Sequence, residues 1–197
     1  DTIEVYMSPS DGCASKMISA IQTADTSIYF CIFTFSRQDV ADAMKDRYDN
    51  HGVDVRGVFD AMAWNQSWSK SKDLRGDADA VNPWDPPADV FVDSVNSNLL
   101  HHKYMLIDVD DWTSNPIVIT GSYNWSAAAE DGNDENMLII HSQYFADLFL
   151  QEFTARYHEA GGESTFSVNT DINAVNLTIS RDREDVIINY AVIDNSF

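Results

Sequence analysis

SIYFCIFTFSRQDVADAMKDRYDNHGVDVRGVFD, residues 27–60, carries the architecture of the chain. Residues 27–35 are rich in aromatic and β-branched side chains and carry no charge, which is how a strand buried on both faces reads. Residues 39–48 set apolar side chains at helical spacing, and His51-Gly52 closes that helix with a glycine as its C-terminal cap. Residues 53–59 are the next strand. Strand, helix and strand in one run is the signature of an α/β layer fold.

Reading outward, residues 3–7 form a strand that ends at the Ser8-Pro9-Ser10 turn, and Met17, Ile18 and Ile21 follow at helical spacing. Downstream, the periodicity fails from residue 60 to 87. Asn82-Pro83-Trp84-Asp85-Pro86-Pro87 is a loop by composition, and an irregular stretch of that length is more often functional than accidental. Strand patterns return at residues 89–92, 101–109, 116–120 and 136–141. Residues 143–158 read as a helix with Phe145, Leu148, Phe149 and Phe153 as its apolar stripe. After Gly161-Gly162, residues 164–197 alternate Val, Ile and Leu with polar residues, as two or three strands would. This divides the chain into a main domain, 1–162, and a C-terminal β-strand extension or truncated module, 163–197.

The 197 residues are 44% hydrophobic and 12% aromatic, enough to bury a core. Twelve Lys and Arg face 32 Asp and Glu, a formal charge of −20. That excludes a protein that holds nucleic acid by a general positive field, although a local basic patch is compatible with it. Such acidity suits a high-salt environment, and the start at Asp1 rather than Met fits a secreted or periplasmic product whose signal has been removed. Cys13 and Cys31 lack the count and spacing of a disulfide framework or a zinc site, and read as buried free thiols, with one bridge between them left open. No run approaches the ~18 apolar residues of a membrane span, so no stable membrane association is expected.

Chemistry concentrates in His101-His102-Lys103-Tyr104-Met105-Leu106-Ile107-Asp108 and Gly121-Ser122-Tyr123-Asn124. Side chains alternate along a strand, so His101 and Lys103 share one face while His102 and Asp108 share the other. Ser122 and Asn124 repeat the two-residue spacing with neutral donors. An imidazole beside one cation and two neutral donors is what attack on a phosphodiester requires, because the non-bridging oxygens must be held while phosphorus is attacked.

These residues fit His-x-Lys-x-x-x-x-Asp followed by Gly-Ser-x-Asn, and the segment resembles the signature of the phospholipase D superfamily. His101, Lys103 and Asp108 match the first element, and Gly121, Ser122 and Asn124 the second. Glu135 matches the acidic residue placed before the following strand. The separation of the two elements is longer than the family's usual one, and residues 110–116 read as a turn insertion. The resemblance covers residues 3 to about 160 and implies an α/β/α sandwich around a mixed central sheet of about six to eight strands.

With one motif copy, the chain resembles the single-motif bacterial endonucleases, which build one site across a homodimer axis. The implied function is a metal-independent phosphodiesterase, in first place a nuclease acting on DNA or RNA through a phosphohistidine intermediate, with no cofactor. The runner-up is a phospholipase D-type hydrolase of lipid head groups. A catalytically inactive binding module is the third reading. The resemblance makes His101 the nucleophile, with its counterpart in the second subunit as the acid. Lys103, Ser122 and Asn124 would hold the non-bridging oxygens, and Glu135 would hydrogen-bond an imidazole. Asp108 reads as structural, as it lies about 17 Å beyond the catalytic end of its strand; Gly121 joins it as a motif residue without a chemical role. His102 is expected to pack or cap.

The irregular stretch bears on substrate. Trp64, Trp68, Lys70, Lys72 and Arg75 crowd into twelve residues, and rings interleaved with cations are how proteins hold single strands. The same residues also read as core tryptophans beside a solvated loop face. Trp125 either stacks on a base or closes the core.

Overall fold

The computed structural model describes residues 1–93, 99–110, 114–163, 176–181 and 184–189. Nine strands and six helices follow one another along these residues. They are β1 (Thr2–Ser8), α1 (Cys13–Ile21), β2 (Ser27–Ile32), α2 (Gln38–His51), β3 (Asp54–Asp60), α3 (Ala61–Trp64), α4 (Ser71–Leu74), β4 (Asp89–Asp93), β5 (Lys103–Ile107), β6 (Ile117–Gly121), α5 (Ala127–Asp131), β7 (Glu135–His141), α6 (Gln143–Glu159), β8 (Asn176–Arg181) and β9 (Glu184–Asn189).

Seven strands form one mixed sheet in the order β1-β7-β6-β5-β2-β3-β4. β2, β3 and β4 run parallel, joined by crossovers, whereas β5, β6, β7 and β1 pair antiparallel. All six residues of β2 are buried, as its uninterrupted apolar sequence requires at the centre of the sheet. Helices cover both faces. Ile28, Phe30 and Ile32 of β2, with Met105 and Ile107 of β5, pack with Met17, Ile21, Val40 and Met44 of α1 and α2. The alternate residues Tyr29, Cys31, Tyr104 and Leu106 pack with Ala146, Leu150, Phe153 and Tyr157 of α6. The fold is therefore the α/β/α sandwich the sequence implies. Cys13 and Cys31 are both free and sit in these two separate cores, on opposite faces of the sheet.

Differences from the sequence reading have local causes. The strand expected over residues 27–35 leaves the sheet after Ile32, because Phe33 N–H turns to His102 O and Phe35 bridges to Trp125. The irregular stretch contains α3 and α4, each too short to show a period. Leu148 lies on the solvent side, 38% exposed, and Leu150 takes its place in the buried face of α6. α2 ends as read: Gly52 adopts φ 70° and its N–H reaches Arg47 O. In the region of the C-terminal extension, β8 and β9 form a separate antiparallel pair; the rest of residues 164–197, and residues 111–113 of the turn insertion, lie outside the described residues. Among the described residues, no helix is long and apolar enough to cross a membrane.

Candidate active site

One end of the sheet gathers the C-termini of β2, β3 and β6 and the N-termini of β5 and β7. Asp60, at the end of β3, fixes the approach to β5: its carboxylate accepts from Leu100 N at 2.8 Å and from Met62 N at 2.8 Å. His101 is exposed, just ahead of the strand. Lys103 opens β5 opposite Ile32 and is only 8% exposed. Its ammonium lies 3.2 Å from His101 Nδ1 and 3.4 Å from Nε2, and donates to His101 O at 2.9 Å. An ammonium has only donors, so it can bond only the ring nitrogen that carries no proton. Phe33 supports both groups. The His101 ring lies 4.7 Å from it, and Lys103 Nζ sits 5.0 Å above its centroid. Burial pulls the Lys103 pKa below the ordinary lysine value, and the charge of Glu135 opposes that shift.

The second motif element is clasped to β7. Gly121 has φ 139°, and a Cβ there would stand 2.3 Å from Asn136 O, so only glycine permits this approach. Asn136 O accepts from Ser122 N at 3.0 Å and Tyr123 N at 3.2 Å. In return, Asn136 N and Nδ2 donate to Ser122 Oγ at 3.0 and 3.3 Å. With its oxygen occupied by two donors, the Ser122 hydroxyl is left to donate. Asn124 Oδ1 is buried and has no hydrogen-bond partner among the described residues. Glu135 starts β7 opposite Ser8, and its Oε1 accepts from Asn133 Nδ2 at 3.1 Å. Within the chain it makes no hydrogen bond to His101 among the described residues, and its influence reaches Lys103 through charge.

Asp108 sits at the far end of β5, at φ 55°. Its Oδ1 accepts from Thr26 N at 2.7 Å, Asp25 N at 3.0 Å, Thr26 Oγ1 at 3.0 Å and Ser27 N at 3.1 Å; Oδ2 also accepts from Asp25 N at 3.0 Å. His102 points to α6, with Nε2 3.1 Å from Glu152 Oε1.

The residues expected to bind substrate are largely engaged within the chain. Trp125 is 1% exposed and edge-on to Phe35 at 4.8 Å, so it offers no face to a base. Its backbone instead joins the site to the start of α2, with its O accepting from Ser36 N at 2.8 Å. Lys70 is 5% exposed and donates to Gln38 Oε1 at 2.6 Å and Asp73 Oδ2 at 3.2 Å. Lys72 pairs with Asp79, and Arg75 Nε donates to both oxygens of Asp77 at 2.8 Å. The Arg75 guanidinium caps the Trp64 ring at 4.5 Å, and that ring packs on Phe59 at 5.9 Å. The anticipated basic patch is thus neutralised within its own loop, and of the five residues only Trp68, 45% exposed, presents a free surface.

A cleft of about 430 Å³ opens on His101 and Lys103 and runs between Thr120, Gly121, His102 and Tyr104 and the α6 residues Leu148, Phe149 and Glu152. Sequence reasoning missed the α6 wall and Phe33. Glu152 lies fifty positions from His102, and no local pattern links them. A larger hollow of about 660 Å³, lined by Asp1, Asn115 and His141 among others, contains none of the motif residues. Among the described residues, no three His, Cys, Asp or Glu gather as metal ligands.

The family model described as cardiolipin synthase, PLD-like domain, matches residues 17–157. The chain belongs to the phospholipase D superfamily. As a superfamily member it is a phosphodiesterase. It is 30% identical over 154 residues to the phospholipase D of Rickettsia conorii, covering 78% of this chain and 68% of that one. Over 149 residues it is 29% identical to the mitochondrial cardiolipin hydrolase of Xenopus tropicalis, covering 76% of this chain and 63% of the relative. Among solved structures, the phospholipase D family member Nuc from Salmonella typhimurium superposes with a TM-score of 0.68 at 25% identity, covering 83% of this chain and 99% of that one. NucT from Helicobacter pylori shares the fold, with a TM-score of 0.68 at 20% identity.

Proposed function

We propose that this phospholipase D superfamily member is a nuclease that hydrolyses DNA or RNA phosphodiester bonds at a site shared by two copies of the chain. The observation that carries this reading is the His101–Lys103 pair, an imidazole held beside a buried cation. In the first step a ring nitrogen of His101 bonds to phosphorus and the bond to the leaving oxygen breaks. That oxygen takes a proton from the second imidazole. The second imidazole then removes a proton from water. The water oxygen bonds to phosphorus, the P–N bond breaks, and His101 is regenerated.

Two imidazoles are needed, and each chain offers one. Of the two histidines that line the cleft, His102 is engaged with Glu152. The second therefore comes from His101 of another copy. Lys103, the Ser122 hydroxyl and the Asn124 amide nitrogen would hold the non-bridging oxygens, and this donor set supplies the charge stabilisation without a metal or other cofactor. Asp108 and Gly121 act on the backbone, the first tying β5 to the start of β2 and the second admitting the Asn136 clasp. The match over residues 17–157 supports placing the reaction in a catalytic domain of residues 1–162, with 163–197 as a C-terminal β-strand extension.

The test is cleavage of labelled single- and double-stranded oligonucleotides in EDTA, with wild type beside His101→Ala. Metal-independent cleavage that falls at least about 10³-fold in the variant is expected. A folded wild type that leaves oligonucleotides intact but releases lipid head groups overturns the nuclease reading. Gel filtration should return a dimer, and a fully active monomer refutes the shared site.

A further inference from the structure

The cleft beside the catalytic pair has a wall that the chemistry above does not use. Leu148 and Phe149 of α6 form one side of it, and Leu148 has 38% of its surface exposed. Tyr104 closes the floor, its ring edge-on to Phe149 at 5.2 Å. His102 leans on the same ring at 5.4 Å and holds Glu152 Oε1 at 3.1 Å, while Arg156 Nε lies 3.2 Å from that oxygen. His102 holds the carboxylate from one side, while Arg156 Nε adds its charge without a hydrogen bond among the described residues. The other carboxylate oxygen, Oε2, has no hydrogen-bond partner among the described residues.

The cleft is continuous with His101 and Lys103, so the group attached to one side of the scissile phosphate must lie along it. Its volume of about 430 Å³ is in the range that holds a small organic group. A further phosphate there would meet the Glu152 carboxylate as a like charge. A hydrocarbon chain would desolvate that carboxylate without giving it a donor. A flat ring bearing N–H groups fits both halves of the wall, with its face on Leu148 and Phe149 and its edge towards the carboxylate, where Oε2 and the remaining lone pair of Oε1 can each accept.

We infer that this cleft is a nucleobase subsite and that Glu152 is its specificity-determining residue, favouring guanine. Guanine presents two adjacent N–H donors on its Watson–Crick edge, whereas thymine and uracil present one donor between two carbonyls. Adenine and cytosine set a ring acceptor beside their amino group, which would face the carboxylate as one acceptor faces another. His102 is a positioning residue that holds the carboxylate in place. The inference rests on the nuclease reading and adds the base preference to it.

The test uses thymidine oligonucleotides carrying one guanine, adenine or cytosine, cleaved in EDTA by the full-length wild type and by Glu152→Gln. The readout is the ratio of cleavage next to the single base to cleavage between thymidines on the same strand, which is independent of overall rate. Wild type should favour guanine by roughly 5- to 150-fold, the worth of a good two-bond base contact. In Glu152→Gln, where one acceptor becomes a donor, the ratio should fall towards unity. Equal cleavage at guanine and thymine by wild type overturns the inference while leaving the nuclease reading intact. A guanine preference that survives in Glu152→Gln removes Glu152 as its source and overturns it too. Should Glu152→Gln fail to fold, Leu148→Ala, altered only at an exposed position, should raise KM for oligonucleotides about 5-fold through lost stacking. An unchanged KM counts against the subsite. Wild type that hydrolyses bis(p-nitrophenyl) phosphate but no oligonucleotide fails the nuclease reading itself.

Discussion

Asp108→Asn separates the scaffold from the chemistry within one motif. The Asp108 carboxylate is buried and receives three backbone N–H groups and one hydroxyl from residues 25–27. Asparagine keeps one acceptor oxygen and tolerates the left-handed φ of 55°. It loses the charge that makes such bonds stronger, a difference of about 1 kcal/mol per bond. It also turns an NH2 towards the N–H of Asp25. Across three backbone donors the loss is about 2–3 kcal/mol, which for a chain of this size lowers Tm by about 5–10 °C. Alanine leaves the three N–H groups without their acceptor and adds strain at the left-handed position, so Asp108→Ala should lose about 4–6 kcal/mol. Asp108 lies a strand's length, about 17 Å, from Lys103. The kcat/KM of folded Asp108→Asn should therefore stay within about 3-fold of wild type. Circular dichroism melts, with phosphodiesterase activity normalised to folded protein, measure both. An Asn variant with the wild-type Tm, or one that stays folded while activity drops a hundredfold, would refute this division of labour.

The remaining expectations concern the site and its loop. Lys103 titrates below its ordinary value of 10.5, so the alkaline limb of kcat/KM should fall below that pH, and Glu135→Gln should move the limb lower still; a limb that moves upward refutes the assignment. Between the lowered pKa and the ordinary one the unfolded chain holds the extra proton, so this group's contribution to stability rises with pH across that window, as melts at several pH values would show. Gly121→Ala drives a Cβ into Asn136 O and should cost about 3 kcal/mol or more, with loss of activity in whatever folds; a normal Tm would show that the clasp is not tight. Lys70→Ala leaves buried Asp73 without its cation and should cost about 3 kcal/mol, against under about 1 kcal/mol for Lys72→Ala at the exposed Asp79 pair, both read by urea denaturation. Neither should alter the salt dependence of oligonucleotide cleavage, and a flatter slope in Lys72→Ala would restore the loop as a phosphate contact.

The sheet was legible because its strands carry apolar residues on both faces. Ile28, Phe30 and Ile32 point to one core and Tyr29 and Cys31 to the other, and an uninterrupted run of that kind has few alternatives to a central strand. The motif was legible for a different reason: His-x-Lys followed by Gly-Ser-x-Asn resembles the superfamily signature whatever the rest of the chain does. What was not legible depended on partners. Leu148 and Leu150 both fit a helical period, and only the position of the sheet decides which one is buried. Glu152 becomes part of the site solely because α6 packs over β5, a contact between distant segments. The loop cations are an instructive miss, since Asp73, Asp77 and Asp79 stand a few residues from Lys70, Lys72 and Arg75. Counting acids beside bases in that segment would have shown a self-compensated loop. Trp125, one of whose two readings is closing the core, is buried against Phe30 and Phe35.

The connection from β5 to β6 leaves the sheet beside Asp108, a full strand away from His101 and Lys103. Pairing of Met105 with Ile119 and of Ile107 with Ile117 sets the two strands in register independently of the chain that joins them. Length there is uncoupled from strand register, which is how a longer separation between the two motif elements can coexist with the paired β5 and β6. For the protein engineer this makes the turn a tether point. A fluorophore, an affinity handle or a surface-immobilisation peptide grafted next to Ser114 would sit at the end of the sheet opposite His101 and Lys103.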